Sequence, residues 1–334
     1  MTAPRDALAH HVRTLGRGPG RSRNLTRAEA GDAMALILAG DAAPEAVGAI
    51  LMLLRFRGES ADEIAGFVDA MRARVADWAD IGAALDWPSY AAGRSRGLPW
   101  FLLSAKLVAR AGFPVLLHGW NSHPGMADPR ESLAAAGIPT VTDAIAAREA
   151  LATGAIAYAP LESLDPAALE LLRLREVLGL RSPVNTALRA WNPSVARASV
   201  QGVFHPPYRP LAQAAAAALG QPAMTAIKGG GGEFERHPGK TVTLSTLRGG
   251  EASEATAPPL LDETRRLNDG ADTDPSRLPD LWSGAITDDF AAAIVTGTAA
   301  LALLTLGAAP DLTEADRMAA ALWHDRRDAL QLKG

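Results

Sequence analysis

Apolar residues recur at helical spacing through residues 1–78, and no strand-like alternation interrupts them. Two capping boxes mark helix starts in this region, where Thr26 precedes Glu29 and Ser60 precedes Glu63 by three residues. This pattern predicts a small N-terminal helical domain over residues 1–78.

Four apolar residues of this helical region, Leu36, Val47, Ile50 and Leu54, exceed what one short bundle is expected to bury alone. They predict a homodimer formed through the N-terminal helices. His10 and His11 are adjacent, and neighbouring helix positions do not share a face. We interpret both histidines as surface residues, not as ligands.

From residue 79 onward, short apolar runs alternate with helical segments, which is typical of an α/β domain with a mostly parallel central sheet. This domain is predicted to cover residues 79–334. The predicted strands are Ala84–Trp87, Pro114–Leu117, Thr140–Val141, Ala155–Ala159, Ser199–Phe204, Ala223–Lys228 and Lys240–Thr246. The predicted helices include Leu98–Ala111, Arg130–Ala136, Asp143–Leu151, Pro166–Leu178, Pro210–Leu219 and Asp288–Leu306.

Three loops leave predicted strands at one edge of this sheet. His118 and Lys228 each follow an apolar strand, and the loop Ser89–Gly97, with Arg94 and Arg96, follows the first one. Ligands of parallel α/β sheets bind beyond the carboxyl ends of the strands. The pattern therefore predicts a ligand site between the helical region and these strand ends.

Composition limits the function classes. The chain has 334 residues, 48% of them hydrophobic, with a formal net charge of −4 and no cysteine. The charge argues against global attraction to nucleic acid, and the missing cysteines exclude disulfides and thiolate chemistry. The apolar run Ala291–Leu306 is short and interrupted by threonine and glycine, so we interpret it as a buried helix. We expect a soluble cytoplasmic protein that does not contact membranes.

Several motifs resemble those of the anthranilate phosphoribosyltransferase superfamily, glycosyltransferase family 3. Leu103-Ser104-Ala105 and Leu117-His118-Gly119-Trp120-Asn121 fall where that family has Ile-Ser-Thr and Lys-His-Gly-Asn-Arg. The segment from Arg175 to Asn185, then Asn192-Pro193, continues the resemblance in the same order. It implies an α/β fold of the anthranilate and nucleoside phosphorylase type, with a helical domain used for dimerisation.

The resemblance also implies a ligand and a metal. The family holds the diphosphate of phosphoribosyl pyrophosphate and Mg²⁺ at these motifs, and Arg175 stands at one of its paired arginines. Glu233 and Glu235 are the acidic residues nearest the family's magnesium motif, after the glycines that begin at Gly229. Carboxylates suit Mg²⁺. The alternative is a surface hairpin with two solvated acids.

The chain also departs from the family pattern. Trp87–Arg94 replaces the glycine-rich diphosphate loop, and Leu117 replaces the lysine before His118. Both changes resemble the YbiB-like branch, which is associated with DNA binding. They predict little or no anthranilate activity and leave open whether any catalysis is retained.

Two main functions and one further alternative therefore stay open. The first is a phosphoribosyltransferase-like protein that binds a phosphorylated small molecule. The second is a protein that binds single-stranded nucleic acid with basic residues interleaved among Tyr90, Trp100 and Trp120. A dimer that only contacts a partner protein is the third. The candidate substrate- and phosphate-binding residues are Ser89, Arg94, Arg96, Ser104, Lys106, His118, Gly119, Asn121, Arg175, Lys228, Gly229 and Gly230, with Glu233 and Glu235 as candidate metal ligands.

Overall fold

The computed structural model describes residues 7–18, 20–90, 97–120, 129–263, 265 and 273–327. The N-terminal helices are α1 (Ala9–Gly16), α2 (Arg27–Ala39), α3 (Pro44–Arg57) and α4 (Ala61–Arg74). The strands are β1 (Leu85–Ser89), β2 (Val115–Gly119), β3 (Ile156–Pro160), β4 (Ala198–Val203), β5 (Ala223–Lys228), β6 (Val242–Arg248) and β7 (Glu251–Ala257). The remaining helices are α5 (Phe101–Arg110), α6 (Pro129–Ala136), α7 (Ala144–Gly154), α8 (Leu161–Leu164), α9 (Pro166–Arg173), α10 (Arg175–Leu178), α11 (Val184–Ala190), α12 (Tyr208–Ala218), α13 (Arg277–Ser283), α14 (Asp289–Leu306) and α15 (Leu312–His324).

A single seven-stranded sheet organises the α/β part, with strand order β3-β2-β1-β4-β5-β6-β7. The first five strands in this order pair in parallel, and β6 and β7 are added antiparallel at one edge. The mostly parallel sheet predicted from the sequence is therefore confirmed. Successive residues of β2 alternate between two apolar clusters, since Leu116 belongs to one and Leu117 to the other.

The two faces of the sheet carry different layers. Helices α5, α13, α14 and α15 contribute to the cluster that contains Leu117. The N-terminal helices, together with α7, α9 and α11, contribute to the cluster that contains Leu116. Helices α9, α11 and α12 also contact α2 or α4. Segments that follow β3 and β4 in the chain thus pack on the helical block, and the boundary at residue 78 stays a prediction.

Helix α14 forms the centre of one face. It is long and apolar enough to cross a membrane by length and composition, but 72% of it is buried inside the protein. Asp288 caps its first turn, and Gly307 ends it with a left-handed backbone conformation. The prediction of a buried helix here is confirmed.

The structure corrects several sequence-based assignments. Thr140–Val141 is not a strand, because Thr140 forms only an isolated bridge. The predicted helix Pro166–Leu178 is two helices, α9 and α10. Helix α11 and strand β7 were not predicted, because one is short and begins after a proline and the other is polar and exposed.

Two predictions about the helical block assumed that certain side chains are exposed, and the structure shows them buried. Val47, Ile50 and Leu54 are buried within the chain itself, so they offer no surface to a second copy. His11 is buried too, and its Nε2 lies 2.9 Å from a carboxylate oxygen of Asp32. Adjacent histidines differ here because α1 turns the ring of His11 toward α2.

Two glycines permit the segment after β5 to lie against β4. A Cβ atom on Gly202 would lie 2.1 Å from the carbonyl carbon of Glu233, and one on Gly229 would lie 1.5 Å from the carbonyl oxygen of the same residue. Real Cβ atoms do not approach backbone atoms this closely. The contact requires glycine at both positions and fixes the backbone of Glu233.

We expect Gly202→Ala to destabilise the protein by about 1–3 kcal/mol or more, because the added methyl group displaces the Glu233 backbone. Urea denaturation monitored by circular dichroism measures the change. Gly154→Ala is the matched control, since nothing lies within 4 Å of a Cβ there and alanine favours helix. Equal stability of the two variants would contradict the close contact.

Candidate functional site

A cavity of about 280 Å³ lies where the helical block meets the carboxyl end of β4. Helix α3 contributes Arg55, and the segment between α3 and α4 contributes Glu59. The other lining residues come from the α/β part. The lining consists of Arg55, Glu59, Arg175, Gly179, Leu180, Arg181, Ser182, Asn185, Thr186, Arg189, Gln201, Val203, Phe204, His205, Tyr208 and Ala212. This is the position, beyond a parallel strand end, where such sheets bind ligands.

The charge of the lining is strongly positive. Among the described residues it includes four arginines, Arg55, Arg175, Arg181 and Arg189, and one carboxylate, that of Glu59. The whole chain carries a formal charge of −4, so the cavity differs in sign from the protein around it. A concave site lined by one sign of charge concentrates ions of the opposite sign. The cavity is therefore suited to anions.

Mutual repulsion and burial both act on these arginines. Desolvation, followed by the nearby charges of Arg175 and Arg55, lowers the pKa of Arg181. Desolvation also lowers the pKa of Arg189 to about 10, although the charge of Glu233 opposes this shift. With a pKa of about 10, the Arg189 guanidinium stays charged at neutral pH. An anion in the cavity would reduce the cost of holding these arginines together.

Local structure aims these side chains. Asn185 and Arg189 are four residues apart on α11, so they lie on one face of that helix, and Arg181 lies in the segment just before it. The Arg189 guanidinium donates to the backbone oxygens of Tyr90, at 2.9 Å, and Asn185, at 3.2 Å. Arg55 donates to the hydroxyl of Tyr208 at the start of α12. Helices from both parts of the chain are thereby joined across the cavity.

Two buried polar atoms of lining residues lack hydrogen-bond partners among the described residues. They are Nη1 of Arg175 and Oδ1 of Asn185. An unsatisfied buried polar group costs about 1–3 kcal/mol, and more when it is charged. They are one donor and one acceptor on residues that line the cavity.

Most of the residues predicted from the sequence lie elsewhere. Among the described ones, only Arg175 lines the cavity. Arg94, Arg96 and Asn121 lie outside the described residues. Lys228 ends β5 in an exposed position, and Gly229 and Gly230 lead into the segment that packs on β4.

Ser89, Gly119 and His118 end their strands side by side, as predicted, but the interior surrounds them. His118 Nε2 lies 3.0 Å from an Asp86 carboxylate oxygen, and its Nδ1 lies 2.8 Å from the Tyr90 hydroxyl. The other Asp86 oxygen accepts from Ser199 at 2.9 Å. This buried network joins β1, β2 and β4 and places no His118 atom in the cavity lining.

Ser104 and Lys106 of α5 are also occupied within the protein. Ser104 is buried, with its hydroxyl 3.5 Å from the Trp100 carbonyl oxygen. The Lys106 ammonium donates to the Ala136 carbonyl at 3.0 Å and lies 4.5 Å from the Trp282 ring centroid. Burial and the charge of Arg110 lower the pKa of Lys106. A ligand role for either residue stays a prediction.

Glu233 and Glu235 are 1% and 0% exposed, so the alternative of a surface hairpin with solvated acids is wrong. One Glu233 oxygen accepts from the Ser89 hydroxyl at 2.9 Å. One Glu235 oxygen accepts from the backbone N–H of Phe101, at the start of α5, at 3.1 Å. Both carboxylates are thus engaged within the protein interior, and the glycine contacts fix the backbone of Glu233.

A different set of metal-ligand types occurs in the helical block. His10, His11 and Asp32 bring their ligand atoms within 4.8 Å of one another. The Nδ1 atom of His10 is 2.9 Å from the Ala7 carbonyl oxygen, and Asp32 is paired with His11. None of the three lines the cavity described above.

Sequence reasoning missed Arg55, Glu59, Arg181, Arg189 and Tyr208. The four-residue spacing of Asn185 and Arg189 would place both on one face of a helix. That helix, α11, was not predicted because it is short and begins after a proline. No comparable signal places Arg55 opposite Tyr208, because only the tertiary fold joins α3 to α12.

Solved structures share this fold. Anthranilate phosphoribosyltransferase from Thermus thermophilus superimposes with a TM-score of 0.74 and 23% identity, over 91% of this chain and 92% of that one. The Saccharomyces cerevisiae anthranilate phosphoribosyltransferase in complex with PRPP and Mg gives a TM-score of 0.75 and 15% identity, over 96% and 94% of the two chains. The architecture is thus the α/β phosphoribosyltransferase fold with an N-terminal helical bundle.

Sequence comparison defines the family. Residues 10–75 match the helical bundle domain of a glycosyl transferase family. Anthranilate phosphoribosyltransferase of Methylocella silvestris is 30% identical over 323 residues, covering 92% of this chain and 90% of the relative. That of Anaeromyxobacter sp. is 31% identical over 304 residues, covering 89% of each. The chain therefore belongs to the anthranilate phosphoribosyltransferase family.

Burial of Glu59 in the cavity makes the stability of the folded protein depend on pH. Desolvation raises the pKa of its carboxyl above the ordinary value of 4.5, against a weaker opposing effect of Arg55 and a hydrogen bond from Thr186. A carboxyl whose pKa is higher in the folded than in the unfolded protein makes the folded form bind protons more tightly. Its contribution to stability is complete below pH 4.5 and is lost as the pH rises through the folded-state pKa.

We therefore expect Glu59→Gln to abolish the loss of stability that the buried Glu59 carboxylate causes as the pH rises. The variant, compared with the wild type, should gain stability as the pH rises from about 4.5 to 7.5, because the neutral amide keeps the Thr186 contact without a buried charge. Urea denaturation of both proteins at several pH values measures the difference. A difference that does not change with pH would contradict this role of Glu59.

Proposed function

We propose that the protein binds a phosphorylated ribose donor, or another phosphate ligand, in the arginine-lined cavity. The observation that carries the proposal is the lining itself, with four arginines against one carboxylate. Arginine donates bidentate hydrogen bonds to phosphate, and these are among the stronger polar contacts in proteins. The partnerless Arg175 Nη1 and Asn185 Oδ1 atoms support the same conclusion.

The proposal includes little or no anthranilate phosphoribosyltransferase activity. The glycine-rich diphosphate loop is replaced by Trp87–Arg94, and Leu117 stands where the family has a lysine. Each change removes a contact to charge that develops during the reaction, and such contacts are worth a few kcal/mol each. Whether another acceptor reacts is left to experiment, and the cytoplasmic location expected from the sequence belongs to the same proposal.

The nucleic-acid alternative has less support. Tyr90 and Trp100 are 1% and 7% exposed, and a buried ring offers no face for base stacking. Lys106 and Arg110, two of its basic residues, donate to backbone oxygens of this chain. We therefore rank small phosphate ligands first and make single-stranded DNA an arm of the test.

Calorimetric titration with phosphoribosyl pyrophosphate should show binding without turnover of anthranilate. Arg181→Gln should weaken binding about 10- to 100-fold, since it removes a charge-assisted contact in the cavity. Arg148→Gln on the exposed face of α7 is the matched control and should bind as the wild type does. Turnover of roughly 1–1000 per second with anthranilate would contradict the proposal, as would tight binding of single-stranded DNA with none of the donor.

We also propose a homodimer through the helical block, on a different surface from the one expected. Phe56 at the end of α3 is 90% exposed, and Met52 and Leu53 on the preceding turn are partly exposed. A second copy packed there would bury these apolar side chains.

Light scattering at micromolar concentration should report a dimer, and Phe56→Ser should shift it toward monomer. Ile145→Ser is the matched control, because Ile145 is an exposed apolar residue of the α/β part. A monomeric wild-type protein, or a dimer that both variants leave intact, would refute the α3 interface.

A further inference from the structure

The two glutamates that stand for the family's magnesium ligands do not form an open metal site. Both carboxylates are buried, and neither residue lines the cavity. Glu233 accepts from Ser89, and Glu235 accepts from the backbone of Phe101. Mg²⁺ in phosphate-transferring sites is shared between carboxylates, water and the phosphates of the substrate. Carboxylates turned into the protein interior do not fit that arrangement.

The backbone keeps these acids turned inward. The Glu233 carbonyl group lies against Gly202 of β4 and Gly229, at distances that exclude even a Cβ atom. Outward rotation of this segment would therefore require separation from β4. The packing fixes the backbone from which Glu233 projects, and the hydrogen bonds from Ser89 and Phe101 hold the two carboxylates in the interior.

A guanidinium occupies the space between the acidic segment and the cavity. Arg189 lines the cavity, and its Nη2 would lie 3.7 Å from a Cβ atom on Gly232, next to Glu233. The charge of Glu233 stabilises the charged form of Arg189, which raises the pKa of this guanidinium against the effect of burial. Hydrogen bonds to Tyr90 and Asn185 fix its position. A fixed cation thus stands beside the carboxylate that would otherwise attract a metal ion.

We propose that Arg189, backed by Glu233, supplies the positive charge that a divalent cation would supply, so that the cavity binds a diphosphate group without metal. This inference rests on the proposed function, because it assumes that the cavity takes a phosphate ligand. Arg175 and Arg181 complete the cationic lining around the same ligand. Monodentate and bidentate guanidinium contacts then replace the bridging contacts of a metal ion.

Wild-type protein titrated with inorganic pyrophosphate in a calorimeter tests the inference without any mutation. We expect binding in the presence of EDTA. Added Mg²⁺ should weaken the apparent affinity, because the ion complexes free pyrophosphate and competes with the arginines. Binding that appears only with Mg²⁺ would overturn the inference but leave the proposed function standing. Absence of binding under both conditions would overturn the proposed function itself.

Substitution of Glu233 gives a second test, for which the two mechanisms predict different results. Glu233→Gln keeps an acceptor for Ser89 and removes one negative charge beside Arg189. Metal-free binding predicts pyrophosphate affinity equal to or higher than that of the wild type, whereas a metal ligand at this position predicts a loss. Arg189→Gln should weaken pyrophosphate binding in EDTA about 10- to 100-fold.

Arg148→Gln again controls for the general loss of one positive charge, and thermal unfolding of each variant verifies that it is folded. If Arg189→Gln does not fold, the wild-type titration and Glu233→Gln still decide the question. Unchanged affinity in a folded Arg189→Gln protein would contradict the role assigned to this arginine.

Discussion

Four guanidinium groups converge on one cavity, and a single carboxylate in its lining opposes them. Like charges held together in a partly buried site raise the free energy of the folded protein unless other groups offset them. Glu59 offsets this cost in part through its interaction with Arg55, and Glu233 does so through its interaction with Arg189. The remaining excess of positive charge makes the cavity receptive to an anion. The surrounding architecture serves to hold these groups at fixed positions.

That architecture joins four separate stretches of chain. Arg55 on α3 contacts Tyr208 on α12, α11 carries Arg189, and the carbonyl of Tyr90 after β1 accepts from that arginine. The Asp86–His118–Tyr90 network beneath fixes the ends of β1 and β2. Because each link uses a group from a different element, displacement of any one of these elements changes the geometry of the cavity. The glycine contacts between β4 and the Glu233 segment complete this support.

Much of the fold followed from the sequence, but the cavity did not. Capping boxes located α2 and α4, and apolar runs located most strands, since both signals are local. Strand β7 was missed because its residues are polar and only its pairing with β6 makes it a strand. His118 was correctly placed at a strand end, yet its partners Asp86 and Tyr90 could not be read from spacing. The resemblance marked Glu233 and Glu235 as candidate metal ligands, which stays a prediction, but no motif indicated that both carboxylates are buried and accept hydrogen bonds from Ser89 and Phe101.

The central claim is that this protein presents arginines to a phosphate ligand, while the carboxylates of Glu233 and Glu235 are buried. A crystal structure of the wild-type protein grown with inorganic pyrophosphate and Mg²⁺ tests it most directly. The account predicts pyrophosphate in contact with Arg181 and Arg189, with Glu233 still bound to Ser89 and no metal between them. Pyrophosphate bound through Mg²⁺ to outward-turned Glu233 and Glu235 would contradict it.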